Sequence, residues 1–148
     1  MSATGLEVFD ETLQKTNIWL KEVMDPLGVS RRRAYELLRA VLHVLRDRLS
    51  VNEVAHLAAQ LPMLVRGFFY EGWKPSATPQ KWRSREEFLA QVRERLGSAD
   101  VGDLDLEAAS RTVFAVLSHH VTAGEVDDVR QSLPEPVRAL WPLEEEPA

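Results

Sequence analysis

Apolar positions recur at steps of three and four along most of the chain, the period that gathers side chains onto one face of an α-helix. Phe9, Leu13, Thr16, Leu20, Val23 and Leu27 define a first helix, and Asp25-Pro26 with Gly28 ends it. Ser30 suits the N-cap of a second helix, whose inward stripe is Tyr35, Leu38, Leu42, Leu45 and Leu49. Ser50-Val51-Asn52-Glu53 has the spacing of a capping box and opens a shorter third helix with Val54, Leu57 and Leu61 inward. Pro62 cannot extend that helix but fits the first turn of another, so Met63 to Phe69 forms a fourth segment at an angle to the third. From Glu71 to Arg83 the pattern lapses, and Gly72, Pro75 and Pro79 mark a linker that Trp73 and Trp82 should hold against the surface. Periodicity resumes after the box Ser84-Arg85-Glu86-Glu87 with Phe88, Val92 and Leu96, stops at Gly97, and restarts at Asp105 for a helix through Val113, Leu117 and Val121. Strand alternation is absent from both halves, so the fold class is all-α.

The two halves repeat one another. Leu49-Ser50-Val51-Asn52-Glu53-Val54 matches Val121-Thr122-Ala123-Gly124-Glu125-Val126, and Leu61-Pro62 through Arg66 matches Leu133-Pro134 through Arg138, both at an offset of 72 residues. Upstream, Ala40-Val41-Leu42 meets Ala115-Val116-Leu117 at an offset of 75, which requires a second helix about one turn longer in the first copy. Trp19, Val23 and Leu27-Gly28 align with Phe88, Val92 and Leu96-Gly97. The 148 residues therefore read as a single domain built as a helical bundle of two similar repeats, 6–70 and 85–142, joined by a linker at 71–84 and followed by an acidic tail at 143–148.

Composition narrows the chemistry. With no cysteine, a thiol nucleophile, a disulfide framework, a zinc ribbon and a cysteine-bound iron–sulfur cluster are all excluded. No apolar run approaches the ~20 residues that span a bilayer, and the acidic first turn region lacks the core of a secretory signal, so a cytoplasmic protein without membrane partners is expected. The net charge of −5 conceals an asymmetry: Val29 to Arg66 holds seven arginines and three acids, Ala99 to Ala148 three bases and eleven acids. Neither a Gly-rich nucleotide loop, a nucleophile elbow nor a zinc-protease helix motif occurs.

Several blocks in order carry a family resemblance: Phe9-Asp10-Glu11-Thr12-Leu13-Gln14 and Asn17-Ile18-Trp19-Leu20-Lys21; Ala34-Tyr35 with Leu38-Arg39-Ala40-Val41-Leu42; Gln60-Leu61-Pro62, Val65-Arg66-Gly67-Phe68 and Glu71-Gly72-Trp73. From about Phe9 to Trp141 the chain resembles the bacterial domain-of-unknown-function family 2267. The resemblance implies an all-helical, duplicated bacterial protein and brings no reaction, ligand or catalytic residue. The second copy departs from the first in having Ser132 where the first has Gln60, and in lacking the aromatic run after the arginine.

Glu53 and Glu125 each stand three residues after a hydroxyl residue, so with Ser50 and Thr122 they are assigned to structural capping rather than to acid–base catalysis. His119 and His120 point about 100° apart on a helix and do not easily share one ion, while His43 with Asp47 lacks a third ligand. No metal and no cofactor is therefore expected. Arg66 and Arg138, repeated after each Leu-Pro corner, are expected to form ion pairs, with Glu53 and Glu125 as partners.

The candidate interaction surface comprises Arg31, Arg32 and Arg33 at the start of the second helix, with Phe69, Tyr70 and Trp73 near the linker. A competing reading makes the aromatics Phe68, Phe69, Tyr70, Trp73 and Trp82 a plug that seals the junction between repeats. The expected function is a non-catalytic protein-interaction or structural module, acting on an unidentified protein or on a second copy. The alternatives are nucleic-acid binding through Arg31 to Arg33, and a small-molecule or metal-binding bundle around His43, His119 and His120.

Overall fold

The computed structural model describes residues 2–97 and 104–142; the tail expected at 143–148 lies outside the described residues. They form eight α-helices and one 3-10 turn, with no strand among them. The helices are α1 (Glu7–Leu27), α2 (Arg31–Arg48), α3 (Val51–Ala59), α4 (Met63–Tyr70), α5 (Arg85–Leu96), α6 (Leu106–His120), α7 (Ala123–Gln131) and α8 (Glu135–Arg138). The all-α expectation holds.

Local chemistry sets the boundaries. Gly28 closes α1 in the left-handed conformation at φ 64°, where its N–H reaches Met24 O, a geometry that a Cβ would strain. Ser30, Ser50, Asp105 and Thr122 cap α2, α3, α6 and α7 by accepting from the backbone N–H three residues on. Only Ser84 and Glu87, at the start of α5, complete a reciprocal capping box among the described residues. The second helix of the second half is shorter, 15 residues against 18, as the change of offset requires.

Helix α2 runs through the centre, packing against α1, α4, α5 and α6. Its buried residues, from Ala34 and Leu37 to Leu45, face these neighbours on several sides. Each large aliphatic side chain so buried contributes roughly 1.5–3 kcal/mol. Several contacts cross between halves: α1 packs on α6, α5 on α2, and α3 on α7. A ladder of rings, Trp82, Phe88, Phe114 and Trp141, lines the second half, ending in a stacked pair at 4.3 Å. The five aromatics grouped by sequence therefore do not form one cluster, since Trp82 belongs to this ladder while Tyr70 and Trp73 pack on each other at 5.5 Å.

The apolar stripe of α1 is covered only in part. Thr16, Trp19, Leu20 and Val23 are buried, whereas Phe9 and Leu13 are exposed, and so is Tyr35 at the start of α2. Periodicity identifies the face, but burial depends on whether another element reaches it.

The segment after α4 packs closely despite its irregular backbone. Gln80 N–H donates to Asp47 O at 2.6 Å, Arg48 Nε–H donates to Trp82 O at 3.0 Å, and the Arg48 guanidinium lies over the Trp82 ring. Beneath it, the fully buried Arg46 donates to Asp47 Oδ1, Phe69 O and Glu71 O, each at 2.8 Å. Asp47 also accepts from Arg95 of α5. This network satisfies the carbonyls at the end of α4 and ties three elements to α2.

Candidate functional site

Two features of the bundle have the geometry of sites. The first is a groove of about 780 Å³ between α1, α2 and α4. Leu13, Leu20, Tyr35, Leu64 and Phe68 make its apolar lining, and Arg31 and Arg32 stand at its rim. An adjoining depression of about 400 Å³ shares Leu13, Leu64 and Gly67 and adds Phe9 and Met63. Together they place Phe9 (45% exposed), Leu13, Met63 (48%) and Leu64 beside one another at the surface. Gly67 contributes no side chain to this floor, and a Cβ built there would meet nothing within 4 Å. The groove is thus widened by the absence of a side chain on α4.

The candidate surface residues divide. Arg32 has its side chain 90% exposed, 4.0 Å from Glu36 Oε2; Arg33 lies 3.1 Å from Glu36 Oε1; and Arg31 donates to Asn17 Oδ1. Phe69 is fully buried and offers nothing to a surface, because α4 turns it toward α2; Tyr70 and Trp73 are half-buried against the core. The groove residues Tyr35, Met63 and Leu64 lie outside the candidate surface read from the sequence. A signal was present: Met63 and Leu64 begin α4 directly after Pro62, where the preceding corner leaves one helix face uncovered.

The second feature is the seam between α3 and α7. Ser50 and Thr122 accept from the Glu53 and Glu125 N–H groups at 3.2 and 3.3 Å, so the hydroxyl half of each capping box is present. The carboxyl half is not. The Thr122 N–H donates instead to Gln60 Oε1 at 2.8 Å, and the Glu53 and Glu125 carboxyls lie against each other across the seam. Glu125 is only 7% exposed, and its Oε2 and that of Glu53 have no hydrogen-bond partner. Burial, followed by the adjacent Glu53 carboxyl and by Asp128, pushes Glu125 up to about 8. One ligand atom from each of Glu53, His56 and Glu125 lies within 4.8 Å of the other two.

The repeated arginines do not pair with these carboxylates. Arg66 donates to Ala58 O and Leu61 O, and Arg138 to Arg130 O and Leu133 O, the same two bonds 72 residues apart. Each guanidinium reaches back over its Leu-Pro corner to the carbonyls left free at the end of the short helix.

The histidines also fall differently from the sequence expectation. His119 Nδ1 and His120 Nε2 converge on the two oxygens of Glu22 in α1, at 2.7 and 2.8 Å, and His120 stacks on Trp19 at 4.9 Å. Adjacent positions at the end of α6 can thus reach one carboxylate, because long side chains compensate for the angle between them. His43 belongs to neither cluster: it is buried in α2 with Nε2 2.6 Å from Phe68 O, and burial pushes it down to about 4. His56, a component of the seam, carried no sequence motif that singled it out.

No described helix is long and apolar enough to cross a membrane. Fold and site together define a small all-helical protein with an apolar groove on one face and a carboxylate-rich seam on another. The chain belongs to the DUF2267 family, described as an uncharacterized conserved protein, whose model matches residues 16–140. No curated protein matches the chain.

Proposed function

We propose that this protein is a non-catalytic interaction module that receives an amphipathic helix of a partner protein in the groove between α1, α2 and α4. The observation that carries this reading is the adjacency of Phe9, Leu13, Met63 and Leu64, large apolar side chains left at the surface beside an apolar channel. Scattered exposed leucines need no explanation, but a contiguous set lining a groove is the surface form that helix recognition uses. Arg31 and Arg32 select for an acidic residue on the incoming helix, since Glu71, the acidic residue of the lining, is engaged by Arg39 at 3.3 Å.

The same reading treats the bundle as two repeats, 6–70 and 85–142, with 71–84 between them. It is supported by the equal length and 72-residue offset of α3 and α7, by the duplicated arginine bonds, and by the exchange in which α1 packs on α6 and α5 on α2. The groove belongs to the first repeat because α1 and α4 have 21 and 8 residues, whereas α5 and α8 have 12 and 4.

Selection of displayed helical peptides against the purified protein tests the proposal. Enriched peptides should share apolar residues at i, i+3, i+4 and i+7 with an acidic residue at one end, and lose binding to Gly67→Glu. Undiminished binding to that variant, or enrichment without a common pattern, would reject the groove as the binding surface. Concentration-dependent dimerisation abolished by Gly67→Glu would identify a second copy as occupant and overturn the choice of a different protein.

A further inference from the structure

The α3–α7 seam brings together more ligating chemistry than capping requires. Glu53 and His56, at i and i+3, share one face of α3, and Glu125 faces them from the first turn of α7. The hydroxyl caps at Ser50 and Thr122 fix the backbone from which both glutamates project. One turn beyond His56, the Gln60 amide binds Thr122 through two hydrogen bonds and holds α7 in register with α3. Glu125 is more than nine-tenths buried, and its Oε2 has no hydrogen-bond partner. Burying two carboxyls together without a cation is costly, and neither Arg66 nor Arg138 supplies one, since both are spent on backbone carbonyls.

We propose that Glu53, His56 and Glu125 form a binding site for one divalent transition-metal ion of the zinc or manganese class. Two carboxylates and one imidazole are a donor set suited to those ions, and the exposed position of His56 leaves a route of entry and room for water to complete the coordination. Ligand atoms around a tetrahedral zinc stand roughly 3.4 Å apart for bonds of about 2.1 Å, so modest rotation of side chains now within 4.8 Å closes the site. A bound cation offsets the repulsion between the Glu53 and Glu125 carboxyls. The cluster Glu22, His119 and His120 is the competing location, but there each imidazole already bonds a carboxylate oxygen.

The test is calorimetric titration of untagged, chelator-treated protein with Zn²⁺ and separately Mn²⁺ near neutral pH. Each chain should bind one ion of at least one of the two metals, with saturation at one equivalent. Glu125→Gln and His56→Ala should each weaken binding about tenfold or more, while His119→Ala/His120→Ala leaves it unchanged. Circular dichroism of Glu125→Gln, nearly the same shape as the wild type, establishes that lost affinity is not lost fold. If Glu125→Gln does not fold, Glu53→Gln takes its place. No saturable binding of either metal, binding retained in the folded seam variants, or binding abolished by the histidine-pair variant would each overturn the proposal.

Discussion

Gln60 and Thr122 grip each other through two hydrogen bonds across the seam: the Gln60 amide donates to Thr122 Oγ1 at 3.1 Å, and its carbonyl accepts from the Thr122 N–H at 2.8 Å. The position equivalent to Gln60 in the second half, Ser132, donates to Asp128 O within its own helix instead. The clamp is therefore made from one side only. Gln60→Ala should lower stability by about 1–2 kcal/mol, a fall of several degrees in Tm on thermal denaturation. An unchanged Tm would show that solvent replaces both bonds.

Glu125 makes stability fall as the solution becomes more alkaline. Its carboxyl is pushed up to about 8 from an ordinary value of 4.5, so between those pH values the folded chain holds a proton that the unfolded chain has released. Stability from this group is complete below about pH 4.5 and lost as pH rises through 8. Glu53→Gln removes the like charge, and in chelator it should raise Tm at pH 9 relative to wild type while flattening the decline between pH 6 and 9. Parallel curves for the two proteins would contradict the shared carboxyl pair.

His43 has the opposite dependence. Its imidazole is pushed down to about 4 from 6.5 by burial, so the unfolded chain takes up a proton first as pH falls. Its contribution is complete above pH 6.5 and lost as pH falls through 4. His43→Gln, which retains a donor for Phe68 O, should flatten the acid limb of a Tm–pH profile. A limb as steep as that of the wild type would assign acid sensitivity elsewhere.

Arg46 is fully buried among Asp47 and two backbone carbonyls. Arg46→Leu leaves all three acceptors without its guanidinium and should cost about 3–5 kcal/mol, measured by urea denaturation. Arg46→Lys should recover only part, because one ammonium cannot reproduce the planar fork. A loss below 1 kcal/mol for Arg46→Leu would mean that the network is dispensable.

Gly67 lies inside α4 with open space where a Cβ would stand. Gly67→Ala should therefore stabilise the fold by about 0.5–1 kcal/mol, through higher helix propensity and a less flexible unfolded chain. A lower Tm would reveal a close approach that the open groove does not suggest.

Helix positions were legible in the chain because the information is local. Gly28, Ser30, Ser50, Pro62, Ser84 and Asp105 each act on backbone groups within a few residues, and their elements begin or end there. The partners of charged and aromatic residues were not legible in the same way. Arg66 finds carbonyls rather than Glu53, Phe69 turns inward, and His119 and His120 meet on a helix 97 and 98 residues away.

What the sequence alone determined is the set of helices and their apolar faces, since hydrogen-bond closure, capping and periodicity operate over one or two turns. Tertiary structure alone decided which face stays open and which carboxylates meet. Phe9 and Leu13 carry the same periodic signal as Leu20 and Val23, yet only Leu20 and Val23 are covered. Glu53 and Glu125 each satisfy the spacing of a cap, but the packing of α3 on α7 brings their carboxyls into contact. Coverage and charge proximity depend on distances between elements remote in the chain, which local spacing does not encode.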